Sequence, residues 1–435
     1  MRSRSLGLKW LAVALLASAG TAQEAWTRIE LETPHYELVG WGTPAEVRGW
    51  GEVLEQTWAE LERVLGARPK LAAGKRLDFR MYPDEAARRD GLLADKQAVP
   101  TAAAPAWFSP YDEVLYAFRD KSVVYTRMMV VYGAVLQFHG LCKEKNLDLD
   151  ATWYVHGLAQ TMCVHAWDGK RAEFAYTPRL CMIDYPGRAL AALGGKGFGV
   201  DPWNEERMRD PYVNWAAVRF ALFGAGGKYE SKFQKLALGH TGSKLSGADF
   251  LRSLGREKDV TREFHDWLVA AQYPLAIAQG EWDDRSDGRV FGGALDAREI
   301  GAAVLREPRR QLSVRLNELR RPGLTSYAVL AWQTPTTYVI AHAEAPFFVV
   351  EFVRDGKQVD QLKLPLPATA VDSAFVTLEK LESKAGAIKK QIAERPGAVR
   401  ITIDEQDLGT VNVYEGPLGI AAQGGLAEFT ELAFH

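Results

Sequence analysis

The chain has 435 residues, more than a single hydrophobic core usually fills, so its length predicts two domains. Its 53 lysine and arginine residues nearly balance 55 aspartate and glutamate residues, which excludes the strongly basic surface that nucleic-acid-binding proteins present. Cys142, Cys163 and Cys181 allow at most one disulfide, so we expect buried apolar side chains to stabilise the fold.

The N-terminal segment is typical of a secretory signal peptide. Three basic residues precede an apolar run from Trp10 to about Ala19, and small residues follow that run. The run is shorter than the roughly 20 apolar residues that cross a bilayer, and no later segment reaches that length. We therefore expect a signal peptide at residues 1–22, cleavage near Ala22, export to the periplasm or outside the cell, and no membrane span.

Residues 24–278 alternate between strand-like and helix-like patterns, among which helices dominate. In the clearest helix, Leu54, Trp58 and Leu61 recur at helical spacing and Gly66 ends the pattern. In chain order the patterns predict a strand at 35–40, a helix at 46–66, a strand at 76–82, a helix at 83–93, a hairpin at 106–118, helices at 121–141 and 152–166, and further helices between 205 and 275. This order predicts a mixed α+β domain.

After about residue 278 the composition changes to short alternating runs that are separated by Asp-Gly, Pro-Gly and Gly-Gly pairs. These runs predict a β-sandwich over residues 279–435, with one helical interruption at 375–395. The closing stretch "EGPLGIAAQGGLAEFTELAF" resembles the end of laminin-G or concanavalin-like domains, which often bind glycans or proteins. Because one fold hosts many functions, this resemblance implies a lectin-like architecture rather than a particular ligand.

Three short motifs in the first domain resemble exported bacterial gluzincin-like metallopeptidases, the peptidase-MA-like family. The chain carries "YTR" at 125–127, "QF" at 137–138 and "WYVHGLA" at 153–159. In that family the helix after "YTR" carries His-Glu-x-x-His, and the next helix supplies a glutamate as third metal ligand. The resemblance covers roughly residues 30–270 and implies a zincin-type fold for that part.

The resemblance places the family's catalytic positions on residues that do not fit the chemistry. Zinc peptidases need two histidines four residues apart, a glutamate between them as base, and a third ligand from the following helix. These four positions are here Tyr132, Gly133, Leu136 and His156. A tyrosine phenol is mostly protonated near neutral pH, leucine cannot ligate and glycine has no side chain. We therefore predict a pseudopeptidase with no catalytic residue, no metal and no cofactor.

A rearranged metal site is the main alternative. Its candidate ligands are His139, His156, His165, Cys142 and Cys163. His165 follows His156 by nine residues, which would put the two on opposite faces of one helix. Cys142 and Cys163 would lie roughly 20 Å apart in antiparallel helices, too far for a disulfide. We therefore expect these side chains not to share an ion.

An acidic run follows the first domain. Glu281, Asp283, Asp284 and Asp287 offer oxygen ligands of the kind that calcium prefers, but without the full EF-hand spacing. A solvated loop at the domain junction is the preferred interpretation.

Two interpretations remain open for the former catalytic region. Tyr132 and Leu136 pack into the core in one of them. In the other, an open aromatic groove is lined by Tyr132, His139, Tyr154 and His156.

The sequence as a whole predicts a non-catalytic, exported binding protein built on a disabled peptidase scaffold. Its partner is an unidentified protein, peptide or glycan. The alternatives are an active metallohydrolase with a rearranged site, and a structural envelope protein that binds glycan or protein through the β-sandwich.

Overall fold

The computed structural model describes residues 27–100, 104–142, 153–239, 246–294, 296, 298–306, 309–317, 319, 321–370, 372–381 and 395–435. The predicted signal peptide at 1–22 lies outside these ranges. No helix within them is long and apolar enough to cross a bilayer.

The first part of the chain is mixed α/β. Its strands are β1 Arg28–Glu32, β2 Tyr36–Trp41, β3 Leu77–Tyr82, β4 Ala106–Phe108, β5 Leu115–Phe118, β6 Ala166–Trp167 and β7 Ala172–Glu173. Its helices are α1 Pro44–Leu65, α2 Glu85–Ala94, α3 Val123–Cys142, α4 Trp153–Cys163, α5 Tyr185–Ala192, α6 Glu205–Met208, α7 Pro211–Phe223, α8 Glu230–Gly239, α9 Gly247–Leu254 and α10 Glu257–Ala270. The predicted helices and strands of this part are thus confirmed, within a few residues at their ends.

The described strands β1 to β5 form one mixed sheet in the order β1-β2-β3-β5-β4. The predicted hairpin is confirmed, because β4 pairs antiparallel with β5 and forms the edge of the sheet. The long α3 packs against β4 and β5, which places the helix with the family's catalytic positions directly on this sheet.

Helix α1 illustrates how the sequence determines the local structure. The Thr43 hydroxyl accepts from the Glu46 amide, and the Glu46 carboxylate accepts from the Thr43 amide, so a capping box satisfies the first turn. Gly66 ends the helix in a left-handed conformation with φ of 63°. The predicted apolar stripe, including Leu54 and Leu61, is fully buried against the sheet.

Helix α4 packs against both α3 and α7. Gly157 permits the close approach to α7, because a Cβ at this position would lie 2.6 Å from the Asn214 carbonyl oxygen. Helix α4 thus lies between α3 and α7, and at Gly157 its backbone directly contacts the backbone of α7.

The remaining chain forms two large antiparallel sheets. Their strands are β8 Leu275–Gln279, β9 Glu281–Asp284, β10 Val290–Gly293, β11 Ile300–Leu305, β12 Gln311–Leu316, β13 Thr325–Thr334, β14 Thr337–Glu344, β15 Phe347–Arg354, β16 Lys357–Pro365, β17 Ala374–Leu381, β18 Gly397–Ile403, β19 Gln406–Val413, β20 Gly419–Gln423 and β21 Leu426–Phe434. Within the described ranges, one sheet has the order β19-β18-β17-β12-β21-β10-β9 and the other β16-β15-β14-β13-β20-β11-β8. The predicted β-sandwich class is confirmed, and its first strand begins at Leu275.

The predicted helix at 375–395 is wrong for its first part. Residues 374–381 form β17, which pairs with β12 and β18 on its two sides. Ala374, Val376 and Leu378 alternate inward and are fully buried between the sheets, so burial with a period of two decides the structure. The rest of the predicted helix, 382–394, lies outside the described residues.

The two parts of the chain meet through the acidic run, whose first three members, Glu281, Asp283 and Asp284, lie on strand β9 rather than in the predicted solvated loop, whereas Asp287 lies in the exposed turn that follows. Glu281 and Asp284 are each only 5% exposed. The Arg127 guanidinium on α3 lies 3.0 Å from the Asp283 carboxylate, and Arg179 donates through Nε to Asp284 at 2.9 Å. Burial raises the pKa of both aspartates, while their arginines oppose this effect. Buried ion pairs therefore join the two parts of the chain.

Candidate functional site

The structure brings two of the predicted site residues together. The Tyr132 hydroxyl on α3 lies 2.7 Å from Nδ1 of His156 on α4, and both side chains are half-buried. The two rings are stacked, with centroids 6.3 Å apart and an interplanar angle of 28°. The two residues that the sequence resemblance aligned with metal-ligand positions are therefore joined by a direct hydrogen bond.

Gly133, which directly follows Tyr132 on α3, lies against the sheet. A Cβ at this position would be 2.4 Å from Cδ1 of Leu115 and 3.5 Å from Cβ of Ala106. Leu115 is fully buried on β5, so any shift of its side chain has to take place within a close-packed core. A larger side chain at position 133, such as the glutamate that the resemblance would place there, therefore requires Leu115 to shift.

Leu136 and His139 continue the same helix towards its C-terminus. Leu136 is partly buried and packs on the first domain's core. His139 is 5% exposed, and its Nε2 lies 3.0 Å from the hydroxyl of the fully buried Tyr154. That hydroxyl also lies 3.1 Å from the carbonyl oxygen of Ala237, to which it donates. His139 and Tyr154 are therefore packed between helices. One of the two interpretations expected them to line an open groove, and for these two residues it is wrong.

One candidate ligand of a rearranged site, His165, is placed differently from the prediction. Helix α4 ends at Cys163, so His165 lies beyond the helix rather than on its opposite face. Its Nδ1 donates to the Met162 carbonyl oxygen at 3.0 Å, and its Nε2 is buried without a partner. Burial, followed by the charge of Arg127, lowers the pKa of His165 to about 3. Among the described residues, no group of three or more His, Cys, Asp or Glu side chains could hold a metal ion.

Cys163 and Cys181 line one small cavity of about 30 Å³ together with His165. Burial raises the pKa of Cys163 to about 12 and that of Cys181 to about 11. Both are therefore protonated, unreactive thiols at neutral pH.

A second cleft, which the sequence did not predict, opens between α1, the N-terminus of α3 and the β6–β7 hairpin. It encloses about 290 Å³ and includes the indoles of Trp50 and Trp167. Its other lining residues are Glu46, Gly49, Val53, Arg119, Asp120, Val123, Thr126, Arg127 and Gly169. No sequence motif connects these residues, because they come from three separate segments.

The sandwich carries a third feature on the sheet that contains β13 and β14. Residues that alternate with its inner core form an outward apolar cluster, so this face points away from the other sheet. Trp332 stacks on Tyr338 with centroids 5.1 Å apart, and Tyr327 packs on His342 at 5.2 Å. Tyr338 and His342 are half-buried, so this aromatic face reaches solvent.

No family model matches the chain, and no characterised protein matches its sequence. Among solved structures, it is similar to the carbohydrate binding module CBM66 from Bacillus subtilis, with 12% identity, 37% of this chain and 95% of that chain covered, and a TM-score of 0.27. It is also similar to sheep galectin-11 in complex with glycerol, with 10% identity, 31% and 96% covered, and a TM-score of 0.23. A Bacillus licheniformis β-glucanase has 10% identity, 35% and 80% covered, and a TM-score of 0.25. With scores this low, none of these likenesses assigns a function to the chain.

Proposed function

We propose that this chain is an exported, non-catalytic binding protein, whose first domain is a gluzincin-like peptidase scaffold with its catalytic positions closed. The observation that carries the proposal is the 2.7 Å hydrogen bond between Tyr132 and His156. This bond engages the two side chains that would otherwise be nearest to ligating an ion.

The neighbouring positions support the same function. A catalytic zinc needs three protein ligands, an open fourth position and a base that takes a proton from the bound water. Leu136 offers no donor atom, and Leu115 fills the space that a base at position 133 would need. The four positions together therefore provide packing and one hydrogen bond in place of hydrolysis.

The test measures hydrolysis and metal content together. Purified chain is incubated with a mixed peptide library with and without zinc, and bound zinc is measured by mass spectrometry. We expect no zinc-dependent cleavage, and no change in either readout for Tyr132→Phe or His156→Ala. The proposal would be contradicted if the chain bound stoichiometric zinc and cleaved peptides in a chelator-sensitive reaction that either substitution abolished. That result would favour a rearranged hydrolase.

A second candidate function is glycan binding through the sandwich, which the outward aromatic face favours. The charge of Glu351 acts on both Tyr338 and His342, and the Tyr327 hydroxyl donates to Gln423 Oε1 at 3.2 Å. This face therefore combines flat rings with hydrogen-bonding groups, as saccharide sites require. Native gel electrophoresis in gels that contain soluble polysaccharides tests this function. Glycan binding is supported if a polysaccharide slows the migration of the chain and Tyr338→Ala removes this effect. Equal mobility in all gels opposes glycan binding.

A further inference from the structure

The cleft between Trp50 and Trp167 has the construction of a preformed ligand site. Trp50 projects from α1, and Trp167 lies on the opposite hairpin. Gln56 of α1 holds this hairpin through both ends of its side-chain amide: Nε2 donates to the Lys170 carbonyl at 2.6 Å, and Oε1 accepts from the Ala172 amide at 2.7 Å. The two indoles are therefore held at a fixed separation by protein contacts.

The base of the cleft is fixed as well. The guanidinium of Arg127 lies over the Trp167 ring, with Cζ 5.7 Å from the ring centroid. Arg127 is 6% exposed and is held in turn by Asp283, 3.0 Å away. A cation on one indole face orients that ring and leaves less conformational freedom to be lost when a ligand binds.

The rim carries charged groups of both signs, each oriented by the protein. The Arg119 guanidinium lies 3.0 Å from the Glu46 carboxylate and donates to the Trp41 carbonyl at 2.7 Å. Asp120 accepts from the Ser122 amide at 3.0 Å. Partial burial opposes the ionisation of Glu46, but hydrogen bonds from Thr43 and the charge of Arg119 outweigh it and lower the pKa. The rim therefore offers oriented acceptors and donors, with two carboxylates beside one guanidinium group.

This combination selects one class of ligand. The charged side chains that line the cleft are Glu46, Arg119, Asp120 and Arg127. A purely apolar ligand would gain nothing from them, and a charged ligand would meet groups of its own sign as well as of the opposite sign. A neutral pyranose ring presents C–H groups to an aromatic face and hydroxyls to carboxylates and guanidinium groups, which matches both surfaces. The volume of about 290 Å³ is at the lower end of the ~300–1,000 Å³ typical of ligand pockets, so it suits one or two rings.

We propose that this cleft is a saccharide-binding site in which Trp50 and Trp167 hold a neutral sugar ring and the rim residues bind its hydroxyls. The site is separate from the closed catalytic positions on α3 and from the outward face of the sandwich. The proposal for this cleft can therefore be tested independently of the proposed function.

The test uses the whole chain and defined probes: cellotriose, maltotriose, xylotriose and triacetylchitotriose, each titrated to millimolar concentration by calorimetry and by tryptophan fluorescence. We expect at least one probe to bind, and Trp50→Ala and Trp167→Ala each to weaken it by roughly 10-fold or more, as expected for central aromatic contacts. Trp107→Ala is the matched control, because it removes a half-buried indole on β4 outside the cleft. It should leave the affinity unchanged.

Folding is checked by the thermal transition of each variant. Asp120→Asn provides a milder change, since an asparagine oxygen still accepts from Ser122 while the charge is lost, and we expect about 3- to 10-fold weaker binding. The proposal is overturned if none of the probes binds, or if binding survives both tryptophan substitutions. Binding that only Tyr338→Ala removes would also overturn it, while supporting the second candidate function.

Discussion

At the scale of single residues, Gly133 is a position where the packing of α3 on the sheet leaves little room for a side chain. A methyl group there would approach Leu115 to 2.4 Å, within a fully buried core. We expect Gly133→Ala to lower the free energy of unfolding by about 1–2 kcal/mol, because overpacking outweighs the gain in helix propensity. Urea unfolding followed by circular dichroism measures this change.

Gly49 provides the matched control for that substitution. It is also an interior helical glycine, but nothing lies within 4 Å of the Cβ that an alanine would add. Gly49→Ala should therefore raise the free energy of unfolding by about 0.5–1 kcal/mol. Equal effects of the two substitutions would show that Leu115 yields to the added methyl group.

His165 makes the stability depend on pH. Its pKa is lowered to about 3 by burial and by Arg127, whereas an unfolded histidine has a pKa of about 6.5. The unfolded chain therefore binds more protons between these values, so the stabilisation is complete above pH 6.5 and is lost as the pH falls towards 3. We expect His165→Asn, which keeps a donor for Met162 and cannot become charged, to flatten this decline. Unfolding free energies from pH 7 to 4 for both chains test the expectation, and parallel curves would contradict it.

The sequence identified candidate residues on α3 and α4, but not the contacts that most of them make. The motif spacing identified Tyr132 and His156, which do meet across two helices. Burial of His139 and Tyr154 depends on α8, whose Ala237 carbonyl accepts from Tyr154, and nothing in the motif indicates that helix. The Trp50–Trp167 cleft was missed because its walls come from segments whose contact is created only by the fold.

At the scale of elements, the N-terminus of α3 is capped from another part of the chain. A carboxylate oxygen of Glu281 on β9 accepts from the Val124 amide at 2.9 Å and from the Ser122 hydroxyl at 3.3 Å. An anion at this end of a helix also interacts favourably with the helix dipole. The strand that begins the sandwich sheet therefore helps to determine where α3 starts.

Removal of this cap should be measurable. We expect Glu281→Ala to lower the free energy of unfolding by about 1–3 kcal/mol, because a buried amide loses its acceptor. Glu37→Ala, at an exposed position on β2, is the control and should change stability by less than about 0.5 kcal/mol. Chemical unfolding of the three chains gives the comparison, and an unchanged Glu281→Ala chain would mean that solvent replaces the cap.

Strand β17 shows why part of the fold could not be predicted. The sequence from 375 onwards is rich in leucine, lysine and glutamate, which favour helices in isolation. In the fold, Val376 pairs with Val314 of β12 and Leu378 with Leu312, and cross-strand contacts decide the conformation. Helix α1 was predictable because its cap, its period and its burial all agree.

At the scale of the whole molecule, buried ion pairs connect the two parts of the chain. Asp284 is paired with Arg179, whose side chain approaches the carboxylate through Nε and a terminal nitrogen. Loss of one member leaves an uncompensated buried charge, so we expect Asp284→Asn to destabilise the chain by about 3 kcal/mol. Increased cleavage by trypsin between the two parts should accompany this loss.

Asp287 in the same acidic run provides the control. It pairs with Arg289, and both side chains are well exposed. Asp287→Asn should therefore change stability by no more than about 0.5 kcal/mol and leave the proteolysis pattern unaltered. If the two substitutions behaved alike, the junction would not depend on buried charge pairing.

The contact between Gly133 and Leu115 also has an evolutionary consequence. Because even an alanine at position 133 would approach Leu115, a larger side chain there is accommodated more easily where residue 115 is smaller. We therefore expect positions 133 and 115 to vary together among related chains, a larger residue at one accompanying a smaller residue at the other.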